Sequence, residues 1–417
     1  MSAAPDPGAT RLGAWSLFAA LIAVAGLPIY IHAPKFYVDE YGVSLATLGL
    51  VLFGLRLLDV VQDPALGWLA EKGRRHRGAM VAGAVALMAL SMLGLFAVPP
   101  LLSPLLWFAL TLAGLFSAFS LLTICFYAQG VAKAKTLPGG HLRLAGWREA
   151  GALIGISAAA VAPVALLALT DKPFAAFAMG FVLLALIAVW AMQGQWSAAG
   201  SSAPNASPFV VLADPVARRL LLLALVNAAP VAVTSTLFLF FVESRLQAPG
   251  AEGPLLLLFF VAAALTAPGW SRLAAVYGAR RVLMAGMGLA IVTFAFALRL
   301  GTGDTLAFAV ISATSGAALA ADMVLLPAIF ARHLSRHEGG EAMGFGLWSF
   351  ASKLTLALAA VTLFPILQAR SFVAGPNNTE QALWTLTLLY AGLPCALKVL
   401  AIALLARTPV PEGEGWS

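Results

Sequence analysis

Apolar residues dominate this chain in long blocks, and the polar residues gather in short connections between them. Counting windows of about 20 residues, the length that crosses about 30 Å of hydrocarbon, gives twelve. They cover residues 13–33, 44–70, 79–98, 103–130, 145–169, 173–193, 219–243, 254–277, 281–300, 305–331, 344–368 and 383–407. The pattern predicts an all-α polytopic membrane protein with twelve transmembrane helices. Two joints are thinly marked. Only Pro99, Pro100 and Pro104 separate spans three and four, and only Asp171, Lys172 and Pro173 separate spans five and six. The polar start MSAAPDPGAT leads into an apolar run with no small-residue cleavage site, which predicts a retained first helix and not a signal peptide.

The longest polar connection, residues 193–219, is rich in proline and small residues and divides the chain in two. The expected organisation is a six-helix bundle over 1–193, a cytoplasmic central loop over 194–218 and a second six-helix bundle over 219–417. A weak repeat supports the division. GWLAEKGRRHRG, residues 67–78, closes the second span, and GWSRLAAVYGARR, residues 269–281, closes the eighth. Two parallel six-helix repeats joined in this way resemble the major facilitator superfamily (MFS) fold.

Composition agrees. The chain has 61% hydrophobic and 10% charged residues and a mean hydropathy of +0.93, against a charged fraction of about a quarter in soluble domains. Of its 25 lysines and arginines, 17 fall in or beside the connections that are cytoplasmic if the N-terminus is cytoplasmic. Five (Lys35, Lys172, Arg245, Arg299, Arg370) fall on the other side. The positive-inside rule then predicts both termini in the cytoplasm of a plasma (inner) membrane protein. The net charge of +7 is accounted for by this asymmetry and by anionic lipid, so no nucleic-acid partner is expected. Cys125 and Cys395 lie in apolar runs without partners at metal-ligand spacing. The matches to the glycosylation pattern at Asn205 and Asn377 are short enough to arise by chance.

Six ionisable residues fall inside spans: Arg56, Asp59, Asp63, Asp322, Lys353 and Lys398. Charges at membrane depth are costly and face a partner or an aqueous cavity. At roughly 100° per residue, Arg56, Asp59 and Asp63 fall at about 0°, 300° and 340°, one polar face of the second span. The two aspartate backbones stand about 6 Å apart along the axis, so both carboxylates can converge on one small cation. Pro64 frees a backbone carbonyl as a further oxygen ligand. Two carboxylates at low dielectric repel one another, so such a site favours a bound monovalent cation or a proton. The alternative is that Arg56 neutralises Asp59 while Asp63 turns toward the cytoplasmic interface.

The run Arg56-x-x-Asp59-x-x-x-Asp63-Pro64-x-x-Gly67, followed by a basic turn, resembles the second helix of the glycoside-pentoside-hexuronide:cation symporters, the melibiose-permease branch of the MFS. HLRLAGWREAGALIG (141–155) is similar to that family's 4/5 loop and the start of its fifth helix. EAMGFGLWSFASKLTLAL (341–358) is similar to its eleventh helix. The resemblance implies that Asp59 and Asp63 bind Na⁺, Li⁺ or H⁺, with Asp59 and Asp63 the metal ligands if sodium is used. It places Lys353 near them and Arg148 near the sugar. Arg56 joins the coupling set, while Gly67, Arg74, Arg75 and Arg143 form the cytoplasmic motif. Sugar-binding members carry acids in helices 1 and 4. Here the first span has none, and the fourth offers only Thr123, Cys125, Tyr127 and Gln129.

Further candidates for substrate contact are Tyr127, Gln129, Trp348 and Asp322. Asp322 either joins a central polar network or pairs with Lys353 or Lys398. Lys398 reads as snorkelling to the inner end of the last span. His32 reads as an outer interfacial residue, and Trp15, Trp107, Trp270 and Trp384 as interfacial aromatics.

The function these features predict is a Na⁺- or H⁺-coupled symporter of a small polar organic solute: a sugar, a glycoside or a sugar acid. Its cofactor requirement is none beyond the transported ion, its surroundings are membrane lipid, and a monomer is the expected state. The alternatives are an exporter or carrier of a lipid, peptide fragment or organic anion, and, further off, a receptor or a membrane enzyme. The sequence has no Gly-x-x-x-x-Gly-Lys-Ser/Thr phosphate loop and no His-Glu-x-x-His, which argues against a primary pump or a metallohydrolase.

Overall fold

A computed structural model describes residues 11–134, 137, 140–196, 208–336, 341–373 and 375–409. All the regular structure among these residues is helical. In chain order the helices are α1 Leu12–Val24, α2 Leu27–Tyr41, α3 Leu45–Lys72, α4 Arg77–Phe96, α5 Pro104–Ala134, α6 Gly140–Leu166, α7 Pro173–Ala191, α8 Pro208–Ala213, α9 Pro215–Phe240, α10 Glu252–Tyr277, α11 Ala279–Ala297, α12 Thr305–Leu334, α13 Glu341–Gln368, α14 Glu380–Thr387 and α15 Leu393–Arg407. Each predicted span falls on this series, the first on α1 and α2 and the last on α14 and α15. Among the described residues, eight helical stretches are long and apolar enough to cross a membrane by length and composition alone.

Local chemistry sets several boundaries. Ser44 caps α3, its hydroxyl accepting from the Thr47 N–H at 3.2 Å. Asp214 caps α9 by accepting from the Val216 and Ala217 N–H groups, and Pro215 occupies the first helical position. Thr379 caps α14 through the Ala382 N–H. The first span departs from expectation. The chain breaks at Gly26, just before Pro28, and helix then continues past His32 and Pro34 to Tyr41, where a connection was expected.

The chain divides into two compact units. The first comprises Met1–Val211 with Ala331–Phe350, and the second Leu212–Phe330 with Ala351–Ser417. The early turns of α13 thus belong to the first unit and its remainder to the second.

In the first unit α1 lies along α6 at very close range. A methyl group at Gly155 would stand 2.6 Å from the Ala20 carbonyl oxygen, and one at Gly151 would strike the Ser16 carbonyl. The Gly-x-x-x-Gly spacing lets these backbones meet, as in small-residue packing between membrane helices. Aromatic packing fills the unit, with Trp15 stacked on Phe126 at 5.0 Å and Phe18 beside it. Trp107, read as interfacial, donates its indole N–H to the Gly94 carbonyl at 2.7 Å, tying α5 to α4.

In the second unit α9 continues into a π-helical turn, Phe241–Arg245, and α14 joins α15 through another, Leu388–Gly392. Phe241 and Tyr390, one from each turn, stack at 4.2 Å. Trp270, from the repeated Gly-Trp pair, donates to the Ala317 carbonyl at 2.7 Å and fixes α10 to α12.

Candidate functional site

The polar face predicted on the second span is the centre of the site. On α3, Asp63 is fully buried and Asp59 is 4% exposed. Polar groups bonded to the pair, directly or through Gln62, come from α3, α5 and α13 of the first unit. Gln62 Nε2 donates to Asp59 Oδ1 at 2.9 Å, and Gln62 Oε1 in turn accepts from Ser117 Oγ of α5 at 2.9 Å. Ser349 Oγ of α13 donates to Asp63 Oδ2 at 2.5 Å. Pro64 has no N–H, so the Val60 carbonyl one turn earlier lacks its usual helical donor. The result is an oxygen-rich cluster of two buried carboxylates, one amide and two hydroxyls. Such a donor set suits a small hard cation or a proton.

Arg56 lies on the same helix, and its side chain is outside the described residues. Lys353 is half-buried, one turn beyond Ser349 along α13.

One turn further along α3 the helices close up. A methyl group at Gly346 would stand 2.9 Å from the Asp63 carbonyl oxygen and 3.0 Å from the Gly67 Cα, so only glycine lets α3 and α13 cross there. Glu71, one turn on, is buried, and its Oε2 accepts from the Ala342 N–H at the start of α13 at 3.2 Å. A carboxylate at a helix N-terminus meets unpaired N–H groups and the positive end of the dipole. Arg74 stands 3.6 Å from the other oxygen of Glu71. Arg75 and Arg143 are exposed.

A second cluster in the same unit joins α5 to α6. Arg148 is buried, its Nε donates to Glu149 Oε1 at 2.8 Å, and its guanidinium lies over the Tyr127 ring at 3.7 Å. Tyr127 donates its hydroxyl to the same Glu149 oxygen at 2.9 Å and packs on Phe345 at 5.0 Å. Arg148 Nη2 is buried with no hydrogen-bond partner among the described residues. A planar cation with one uncommitted nitrogen, held rigidly by a carboxylate and a ring, is ready to donate to a hydroxyl or a carboxylate.

The other candidates separate. Gln129 is buried, accepts from Arg77 Nη1 at 3.2 Å and donates to the Gln195 carbonyl at 2.8 Å. Trp348 is half-buried on α13. In the second unit Asp322 pairs with Lys398, which also donates to Asn227 Oδ1 at 2.7 Å. This corrects the snorkelling expectation. Lys398 is 5% exposed and its ammonium is held inside the unit by a carboxylate and an amide.

Sequence reading passed over Gln62, Ser117, Ser349, Glu149, Asn227 and Glu71. Gln62 had a signal, since it follows Asp59 by three residues and shares its face. Glu149 had one too, as an acid beside Arg148 at the start of an apolar span. The serines and Asn227 carry no spacing that marks them.

Buried carboxylates, a rigid arginine and helices long enough to span hydrocarbon define a class: a polytopic carrier of small molecules. A family model described as "MFS/sugar transport protein" matches residues 14–412, and the chain belongs to that family, one of transporters and not of enzymes. Three solved structures share the fold, each at 14% sequence identity. A bacterial homologue of the iron transporter ferroportin in an outward-facing state has a TM-score of 0.70, covering 95% of this chain and 98% of that one. A variant of the E. coli fucose:proton symporter has a TM-score of 0.67, covering 94% and 98%. The human organic anion transporter MFSD10 has a TM-score of 0.65, covering 96% and 100%. No curated protein sequence matches this chain. The protein is an MFS secondary transporter, integral to the membrane.

Proposed function

We propose that this transporter is a cation-coupled symporter that moves a small polar organic solute, a sugar, a glycoside or a sugar acid, by alternating access. The observation that carries the reading is the pair of buried carboxylates on α3, Asp59 and Asp63, one turn apart and bonded within a set of neutral oxygen-bearing side chains. Two carboxylates buried one turn apart repel one another and are costly in a membrane helix, and a transported Na⁺ or H⁺ offsets that cost. Lys353 and Arg56 complete the coupling set. Arg148, with Tyr127 and Trp348, receives the solute, and the uncommitted Nη2 supports a cargo bearing a hydroxyl or a carboxylate.

Both termini lie in the cytoplasm, on the distribution of lysine and arginine. The two six-helix halves divide at residues 194–218, a stretch that contains α8 and the first residues of α9. Iron, fucose with protons, and organic anions are what the structural neighbours' names give them, so the fold alone does not choose the cargo.

The test is solute counterflow in proteoliposomes across sugars, sugar acids and small organic acids, each with and without Na⁺ at acidic and alkaline pH. Counterflow of a hydroxylated solute that depends on Na⁺ or pH supports the reading. Transport confined to solutes that respond to neither ion opposes it.

A further inference from the structure

The second unit holds a buried charge cluster of its own, separate from the α3 carboxylates. Asp322 is 7% exposed and Lys398 5% exposed. Lys398 Nζ donates to Asp322 Oδ2 and to Asn227 Oδ1. The other carboxylate oxygen, Asp322 Oδ1, is buried and has no hydrogen-bond partner among the described residues. Beside the pair lies a cavity of about 40 Å³ lined by both residues, with Phe259 and Phe294 among its apolar walls. At roughly 10–15 Å³ per water centre, that space admits a few water molecules.

The hydrogen-bond inventory of this cavity is lopsided. Ser315 and Thr234 both line it, and their hydroxyls spend their protons on backbone carbonyls, those of Ser312 and Val231. Each hydroxyl is left able only to accept. Three residues around one small space thus each carry an acceptor oxygen, the buried Asp322 Oδ1 and the two hydroxyls, with no donor among the described residues. Lys398 has the opposite arrangement. It has two acceptors where a simple ion pair needs one, so Asn227 can hold the ammonium when the carboxylate loses its charge.

We propose that Asp322 is a protonation site. Its Oδ1 takes a proton delivered by water in this cavity, and the resulting acid donates, directly or through water, to Ser315 or Thr234. One O–H bond forms on Oδ1 and one breaks in a hydronium ion. Asp322 becomes neutral, Lys398 stays an ammonium on Asn227, and no electron moves. Among the residues lining the cavity, α9, α10 and α11 present no titratable group. From α15 come Lys398 and the Cys395 thiol, which is committed to the Ile291 carbonyl. The charge that governs Asp322 is thus that of Lys398, and Asn227 lets that charge persist in both states. The site does not depend on the α3 carboxylates and stands whether or not they bind the coupling ion.

Infrared difference spectroscopy of the purified full-length protein in lipid, without solute or ion gradient, tests this with the proton as the only ligand. The expected result is a protonated-carboxyl C=O band that grows as pH falls and shifts in D₂O. It is retained in the Asp59→Asn/Asp63→Asn double variant and absent in Asp322→Asn. A spectrum that Asp322→Asn leaves unchanged overturns the proposal. Asp322→Glu keeps the charge and guards against a variant that fails to fold. With ¹³C-labelled aspartate the wild-type band shifts with the label, and in Asp322→Glu that label-sensitive band disappears. Persistence of the label-sensitive band in Asp322→Glu also overturns the proposal.

Discussion

Ser349 on α13 donates its hydroxyl to Asp63 on α3, a buried carboxylate that shares its helix face with Asp59. The bond ties the acid pair to a helix nearly 300 residues away in sequence. It also makes a serine that attracts no notice in the sequence part of the candidate ion site.

Replacing Ser349 with alanine removes one oxygen and leaves Asp63 Oδ2 short of a donor. A hydrogen bond to a charged group is worth about 1.5–3 kcal/mol. The expected outcome is a fall of roughly tenfold or more in apparent affinity for the coupling cation. The maximal uptake rate changes less. Cation titration of solute uptake in proteoliposomes measures both.

Gly346→Val forces a branched side chain into the Asp63 carbonyl and the Gly67 backbone, where even a methyl would stand 2.9 Å away. Overpacking of this kind costs about 1–3 kcal/mol. The variant is expected to melt at lower temperature and to transport poorly. A methyl at Gly83, by contrast, meets nothing within 4 Å, so Gly83→Ala is expected to match the wild type in the same thermal-unfolding assay.

Arg148→Lys keeps the charge and loses the planar group that stacks on Tyr127 and donates through Nε to Glu149. The exchange is not conservative at a stacked, forked site. Solute affinity is expected to drop by more than tenfold while cation dependence persists. Glu149→Gln, which keeps the shape of the cluster, is expected to weaken solute binding less. Counterflow rates against solute concentration separate these cases.

The helices were legible because long apolar runs have few other uses, and every predicted span falls on one helix or on two in succession. Gly26 with Pro28 was the visible cause of the break in the first span. Its consequence, a second helix running to Tyr41, was hidden by Pro34, which proves to lie inside that helix. The acid pair was legible because charge in a membrane helix is rare and its angular spacing follows from 3.6 residues per turn. Its partners were not, since Ser117 and Ser349 meet α3 only through packing. Lys398 was misread for a measurable reason. It lies nine residues before Arg407, about 13 Å by helical rise, too far for its stem to carry the ammonium past the end of α15.

If Asp59 and Asp63 couple a cation to solute movement, gradient-driven uptake and solute exchange must part company when they are neutralised. Asp59→Asn and Asp63→Asn, reconstituted with the solute that counterflow identifies, are driven first by a Na⁺ or H⁺ gradient and then by solute exchange alone. Both variants are expected to lose gradient-driven accumulation, while protein that remains folded still exchanges solute down its gradient. Concentrative, gradient-driven uptake at wild-type level in both variants would contradict the coupling.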